Sequence, residues 1–277
     1  MYRFYLRRAF AGRPPDLLVM REGGRIVSGV GVNYRSVRLA GGGTVAAAIL
    51  TAGWTAPKAR GRGLFSRLIE SAIGVVARRG RALALAFVRE DNSSGRVLRR
   101  LGAHMLPTSY ISFEPASSRL PAIGKTPRVR SVPPATIQSA AAREPVENAA
   151  CFDYPGRLDW RGQFIERPDP VETLAIGDCA AIVERTGDTD RLQLLIGPPA
   201  ERRAALEALV LRARRADRGF LAFALEETAP ERTGPPGMTS KPGHFALLVT
   251  GRAKPAAASP GSPWRGVEWR IQPGDRM

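Results

Sequence analysis

The chain has 277 residues, 44% hydrophobic and 24% charged. These are ordinary globular values that exclude a disordered polymer, and no apolar run approaches the roughly 20 residues that span a bilayer. The net charge of +17 invites a nucleic-acid partner, but Arg202, Arg203, Arg212, Arg214 and Arg215 typify basic residues scattered on solvated faces without interleaved aromatics, which makes nucleic acid the weaker reading. Cys151 and Cys179 match neither a metal-ligand spacing nor a disulfide framework and read as small buried hydrophobes in a reducing cytoplasm. Arg3, Arg7 and Arg8 interrupt the apolar character of the first ten residues, so no secretory signal is readable.

In chain order, the first strongly patterned segment is Thr44 to Trp54, a buried strand preceded by Gly41, Gly42 and Gly43 and followed by Pro57. It runs through Lys58-Ala59-Arg60-Gly61-Arg62-Gly63 into a helix whose Leu64, Phe65, Leu68, Ile69, Ala72, Ile73 and Val76 recur at three- and four-residue spacing. Arg78, Arg79 and Gly80 form a suitable last turn. A Gly-x-Gly turn at a helix start is an anion site, because unsatisfied N–H groups and the positive end of the helix dipole point outward, and glycine lets a phosphate come close. The pattern is neither a P-loop, which ends Gly-Lys-Ser/Thr, nor a dinucleotide fingerprint, which needs a third glycine. Arg60 and Arg62 flank the expected phosphate position and read equally well as exposed turn residues. A second strand, Ala82 to Val88, leads through Arg89-Glu90-Asp91-Asn92-Ser93-Ser94-Gly95 to a short helix ending at Gly102.

These blocks resemble the GNAT superfamily of acyl-CoA-dependent N-acyltransferases, whose central motif is Gln/Arg-x-x-Gly-x-Gly/Ala. Lys58 stands at the first motif position, a departure of small weight because the turn amides do the binding. Counting back from Gly102, the position where many members carry a Tyr that protonates the leaving thiolate is Leu98. The resemblance covers roughly residues 3 to 115 and implies acetyl-CoA as co-substrate, contacted by Thr51, Gly53, Lys58, Arg60, Gly61, Arg62, Gly63, Leu64 and Asn92. Asn92 is read equally as a helix cap. The Phe4-to-Phe10 opening and the Val19-to-Val30 segment point to a two-domain branch, in which an additional strand and helix usually precede this point. This chain starts late by comparison, so the expectation is that either the N-terminal strand is absent or the start is assigned downstream of the real one.

The run from Pro115 to Pro145, with Pro121, Pro127, Pro133 and Pro134, reads as a linker in which no helix or strand of length survives. Beyond it, Thr173 to Ile176, Cys179 to Arg185 and Arg191 to Ile196 read as consecutive strands, with hairpin turns at Gly177-Asp178 and Gly187-Asp188. A helix from Pro199 to about Ala216, a strand Phe220 to Leu225, a loop Ala229 to Gly243, a strand Phe245 to Thr250 and a strand near Val267 to Ile271 follow. This order repeats the first half, with Gly197-Pro198 in place of the glycine turn, so the second copy has lost its phosphate cradle. The expected architecture is α/β (α+β): a mixed central sheet flanked by helices of GNAT type over 1–115, a linker over 116–148 and a second, degenerate GNAT-like domain over 149–277. Tyr154, Trp160, Trp264 and Trp269 could wall an acceptor pocket, although each reads more simply as core.

The resemblance implies direct attack of an amine on the thioester in a ternary complex, with a backbone N–H near Leu50 to Gly53 holding the carbonyl oxygen. The general base is nearly silent, because the Ala46 to Trp54 strand contains no Glu, Asp or His. Weak candidates are His104, Glu90, Asp91 and Tyr110, with Tyr34 as a further hydroxyl. The leading expectation is an acetyl-CoA-dependent N-acetyltransferase acting on a small amine, for example an amino sugar. A catalytically impaired acyl-CoA-binding module is the alternative, motivated by Leu98, and a tRNA-dependent aminoacyl transferase is a third that has no need of the Gly61-x-Gly63 cradle. Acyl length, acceptor and oligomeric state are not legible.

Overall fold

The computed structural model describes residues 9–10, 13–39, 43–89, 92–114, 127–143, 149–154, 157–225, 238–250 and 268–270. The expectation of a missing N-terminal strand concerns residues outside this set. The N-terminal half builds β1 (Asp16–Glu22), β2 (Arg25–Arg38), β3 (Thr44–Thr55), α1 (Leu64–Arg78), β4 (Leu83–Arg89), α2 (Ser93–Arg100) and β5 (His104–Phe113). It is followed by β6 (Val129–Ser131), α3 (Pro134–Arg143), β7 (Ala149–Asp153), α4 (Arg157–Phe164), β8 (Val171–Ile176), β9 (Cys179–Thr186) and β10 (Thr189–Ile196). The chain then forms α5 (Pro199–Arg215), β11 (Gly219–Leu225), β12 (Thr239–Val249) and β13 (Glu268–Arg270).

All these strands belong to one 13-stranded mixed sheet, ordered β13-β7-β2-β3-β4-β12-β5-β11-β10-β9-β8-β6 with β1 paired to β2. Alternation along each strand sends side chains to opposite faces. On one face α1 packs Leu68, Ile69, Ala72 and Val76 onto Val30, Val32, Ala48, Ala84 and Ala86. The other face of the same strands presents Ile49, Leu83 and Leu85 to Leu106, Phe152, Phe245 and Trp269. In the second half α5 covers Leu174, Ile176, Val183 and Leu192, while Ile137 of α3 and Trp160 and Phe164 of α4 cover Ile182, Leu194 and Ile196.

The centre of the sheet is an exchange between the halves. Strand β12 pairs with β4 from Gly243↔Arg89 to Val249↔Leu83 and with β5 from Thr239↔Ser112 to Leu247↔His104. Strand β5 in turn pairs with β11 from Phe220↔Phe113 to Leu225↔Thr108. Each half therefore completes its sheet with a strand supplied by the other.

Two expectations need correction. The proline-rich run contains β6 and the 10-residue helix α3, because Pro134 falls at the first helical position, where the missing N–H costs nothing and its fixed φ suits the helix; Ile137 then anchors that helix at 0% exposure. The loop expected up to Gly243 is strand from Thr239 onward, despite Pro242. Beyond Gly243↔Arg89 the strand β4 has ended, so β12 is an edge on that side while still paired with β5 through Pro242↔Ser109, and an edge is where a strand tolerates proline. Helix α4, which carries Trp160 inward, has no counterpart among the sequence-based elements. The turns at Gly177 and Gly187, at φ 57° and 53°, make the antiparallel hairpins β8–β9 and β9–β10 as expected.

Candidate functional site

Strands β3 and β4 are parallel and paired only over Ala47↔Leu83, Ala48↔Ala84 and Ile49↔Leu85. Past Ile49 they diverge, which opens a slot. At the same level β3 carries a bulge: Gly31 faces Thr51, but Gly29 faces Trp54, so one extra residue sits on β3. Ala52 absorbs it at φ 51°, an uncommon conformation for a residue with a Cβ. A bulge takes backbone groups out of the ladder, and here it does so beside the slot. A side chain at Gly53 would force the Phe65 ring to move, since its Cβ would lie 2.8 Å from Cε2 of Phe65.

After a short turn at Pro57–Ala59, Gly61 and Gly63 adopt φ 77° and 69°, and a Cβ at either would project into open space. Gly63 caps α1 without any side-chain hydrogen bond, so the first-turn N–H groups stay available to a ligand. A pocket of about 580 Å³ opens here, lined by Gly53, Arg60, Gly61, Arg62, Gly63, Leu64 and Asn92 among the expected contacts. Thr51 and Lys58 stand outside its lining. Trp54, Phe65, Ser66, Ser93, Ser94 and Val97 also line it; sequence reasoning misses them as site residues, because Phe65 and Val97 read only as the apolar side of a helix.

The two arginines of the turn are engaged. Arg62 donates Nη1 and Nη2 to the Glu22 carboxylate at 2.7 and 2.8 Å, and Arg60 donates Nε to the Thr55 carbonyl at 3.2 Å. The Arg62–Glu22 side chains are 54% and 37% exposed, so this pair is worth no more than about 1 kcal/mol. Arg62→Ala is therefore expected to lower unfolding stability by less than about 1 kcal/mol in a urea titration; a loss several-fold larger would mean that Glu22 holds the turn in shape. Asn92 does cap α2, its Oδ1 accepting the Ser94 N–H at 3.0 Å, while also lining the pocket.

Among the described residues the catalytic candidates are not brought together. Leu98 is buried in the core at 3% exposure and it is Val97 that reaches the pocket, so the acid position is apolar by either count. His104 is exposed and level with Leu247, Leu85 and Ile49, which puts it three strand spacings, about 14 Å, from β3. Tyr110 packs edge-on against Phe223 at 5.6 Å on β5, outside the pocket lining. Tyr34 donates to Asp16 and is flanked by the Arg13 and Arg81 guanidinia at 5.3 and 5.1 Å. Its pKa is raised, first by burial and then by Asp16. That cluster includes Arg79 at the C-terminal end of the 15-residue α1, about 22 Å from the cradle. Glu90 and Asp91 lie outside the described residues, as does Trp264. No Asp, Glu or His lines the pocket among the described residues. Trp160 and Trp269 are core side chains at 7% and 2% exposure, and Tyr154 packs on Phe10 and Phe164. Among the described residues no group of three or more His, Cys, Asp or Glu could hold a metal ion, and no helix is long and apolar enough to cross a membrane.

The second half repeats the geometry with its cradle sealed. Strands β10 and β11 pair in parallel only from Thr189↔Gly219 to Arg191↔Leu221, and β10 carries an extra residue between Leu192 and Leu194. At the start of α5, however, Pro198 and Pro199 withhold N–H groups. Arg202 Nε donates to the Gly197 carbonyl at 3.0 Å, and a Cβ at Gly197 would lie 2.8 Å from Cα of Cys179. Glu201 places a carboxylate in the first turn of α5, where an incoming phosphate would be repelled.

Residues 3–105 match the acetyltransferase (GNAT) domain model. Among solved structures, a tandem GNAT protein from the clavulanic acid biosynthesis pathway is 15% identical over 91% of this chain and 87% of its own, with a TM-score of 0.60. A GCN5-related N-acetyltransferase from Kribbella flavida is 16% identical over 84% of this chain and 59% of its own (TM-score 0.54). A conserved protein of unknown function from Enterococcus faecalis is 12% identical over 85% of this chain and 62% of its own (TM-score 0.58). This chain thus spans about three fifths of the length of the latter two. At such identities the likeness is one of fold. No curated protein matches the sequence significantly.

Proposed function

We propose that the protein is an acetyl-CoA-dependent N-acetyltransferase with a small-molecule amine as acceptor, working in the cytoplasm. The observation that carries this reading is the open Gly61–Gly63 cradle at the start of α1, facing a pocket that runs to the β3 bulge. Amides of the turn hold the pyrophosphate, and the pantetheine arm lies in the slot between β3 and β4. Gly53, Asn92 and Leu64 shape that path, and Thr51, Lys58, Arg60 and Arg62 surround it. We read the architecture as a catalytic unit over 1–115 and a degenerate second unit over 149–277, joined by 116–148.

In the reaction the amine nitrogen forms a C–N bond to the thioester carbonyl, the C–S bond breaks, and its electron pair leaves on sulfur. The nitrogen loses one proton and the thiolate gains one, giving amide and free CoA thiol. We assign the oxyanion to backbone N–H groups at the Ala52 bulge, which leaves the ladder there. With no carboxylate or imidazole in the described lining to act as base, we assign proton removal to water, the acceptor entering as its free amine. The expected signature is a rate that climbs with pH toward the amine's own pKa without a bell-shaped fall; a bell would reveal an enzyme acid and base.

Thiol release from acetyl-CoA in the presence of an amine panel tests the assignment. Release that depends on both substrates supports it. Tight acetyl-CoA binding without release under any amine favours the second reading, a binding module, for which the apolar Val97 and Leu98 speak. Because the second cradle is sealed, one acetyl-CoA per chain is expected by equilibrium dialysis, and two would contradict the role given to Pro198 and Arg202.

A further inference from the structure

The face of the sheet opposite α1 carries an aromatic floor beside the slot. Trp54 faces the same way as its partner Gly29, and its Nε1 lies 2.7 Å from where a Gly29 Cβ would be. Phe87 is on the next strand, half-buried, stacked at 4.8 Å on Phe245 and edge-on to Phe223 at 5.4 Å. Tyr110 covers Gly243, whose Cβ would fall 2.5 Å from the Tyr110 ring. Three half-buried aromatic side chains, Trp54, Phe87 and Tyr110, therefore share one face across β3, β4 and β5. The slot between β3 and β4 opens between the first two of them. The polar groups these side chains bring to the floor are the Trp54 Nε1–H and the hydroxyls of Tyr110 and Thr51, with exposed Arg89 at the rim and Thr108 buried beneath. Thr108 Oγ1 is buried with no hydrogen-bond partner.

We infer that the acyl acceptor is a monoamine carried on a flat apolar or aromatic body, an arylalkylamine, and not an amino sugar or a polyamine; the inference rests on the acetyltransferase reading above. A polyhydroxylated acceptor would find only the Trp54 Nε1–H and the Tyr110 and Thr51 hydroxyls to answer its own hydroxyls on a floor made mostly of ring faces, whereas sites that select such substrates supply a partner for each. A polycation would meet Arg89 and the field of a chain with net charge +17. The aromatic faces, in contrast, attract a single ammonium and stack on a flat body.

The test compares 2-phenylethylamine, glucosamine and spermidine as acceptors at saturating acetyl-CoA, by thiol release, in the intact chain and in Phe87→Leu and Tyr110→Leu. The expected result is kcat/KM for phenylethylamine at least about tenfold above the other two, and a drop of about tenfold in either variant. Acetyl-CoA affinity, measured in parallel, stays within about twofold and so certifies the fold of each variant. Preference for glucosamine or spermidine overturns the assignment, as does equal loss for all three amines. Bound acetyl-CoA with no phenylethylamine turnover overturns it as well and leaves the cradle standing. Absence of acetyl-CoA binding would strike the reading beneath it.

Discussion

Gly61→Val is expected to weaken acetyl-CoA binding by at least about a hundredfold and to take thiol release down with it. Gly61 sits at φ 77° with open space where a Cβ would go. Valine at that φ costs about 1–2 kcal/mol, and its branched side chain would project into the space a phosphate must enter. Every charge-assisted hydrogen bond from a turn N–H to phosphate that this blocks removes about 1.5–3 kcal/mol more. Two such bonds lost already exceed the roughly 2.7 kcal/mol that a hundredfold represents. Thermal protection by acetyl-CoA reads the effect directly: the wild type should gain several degrees at saturating ligand and the variant nothing. A variant that keeps its affinity would show that the Gly61–Gly63 turn is only a sharp corner between strand and helix.

Phe245→Ala is the second large effect, on stability. Phe245 is fully buried at 0% exposure on β12, paired with Phe87 of β4 and Leu106 of β5, and meets Phe87, Phe152 and Trp269 through its ring. Deleting a buried phenyl ring costs about 3–5 kcal/mol, a large part of a typical stability of about 5–15 kcal/mol. For a chain of this length the midpoint should fall by about 6–15 °C. Because β12 completes the N-terminal sheet while belonging to the C-terminal half, acetyl-CoA binding should disappear at the same midpoint as overall structure. Calorimetry should give one transition. Two transitions, with binding surviving the first, would mean that residues 1–115 hold their fold without the exchanged strand.

What can be read in the sequence is local. Thr44 to Trp54 and the Leu64-to-Val76 helix follow from apolar spacing, and Gly61 and Gly63 are legible because a tight turn at a helix start needs positive φ, which both adopt. The position of β12 is not legible, since nothing near Phe245 names β4 or β5 as its neighbours and strand pairing is decided by packing far along the chain. Helix α3 escapes a reading in which prolines only break structure, because Pro134 starts a helix. At the site, the Glu22 grip on Arg62 joins residues distant in sequence, and the Ala52 bulge leaves no signature when alanine occupies a position that glycine would suit better. The aromatic floor is hidden similarly: Trp54, Phe87 and Tyr110 come from three separate segments and share one face through strand register alone.

The most direct measurement is an isothermal titration of the intact wild-type chain with acetyl-CoA. The account predicts saturable binding at one site per chain, weakened with dephospho-CoA only to the extent that the missing phosphate touches the protein. The absence of any binding heat, together with no shift in melting temperature at millimolar acetyl-CoA, would contradict it.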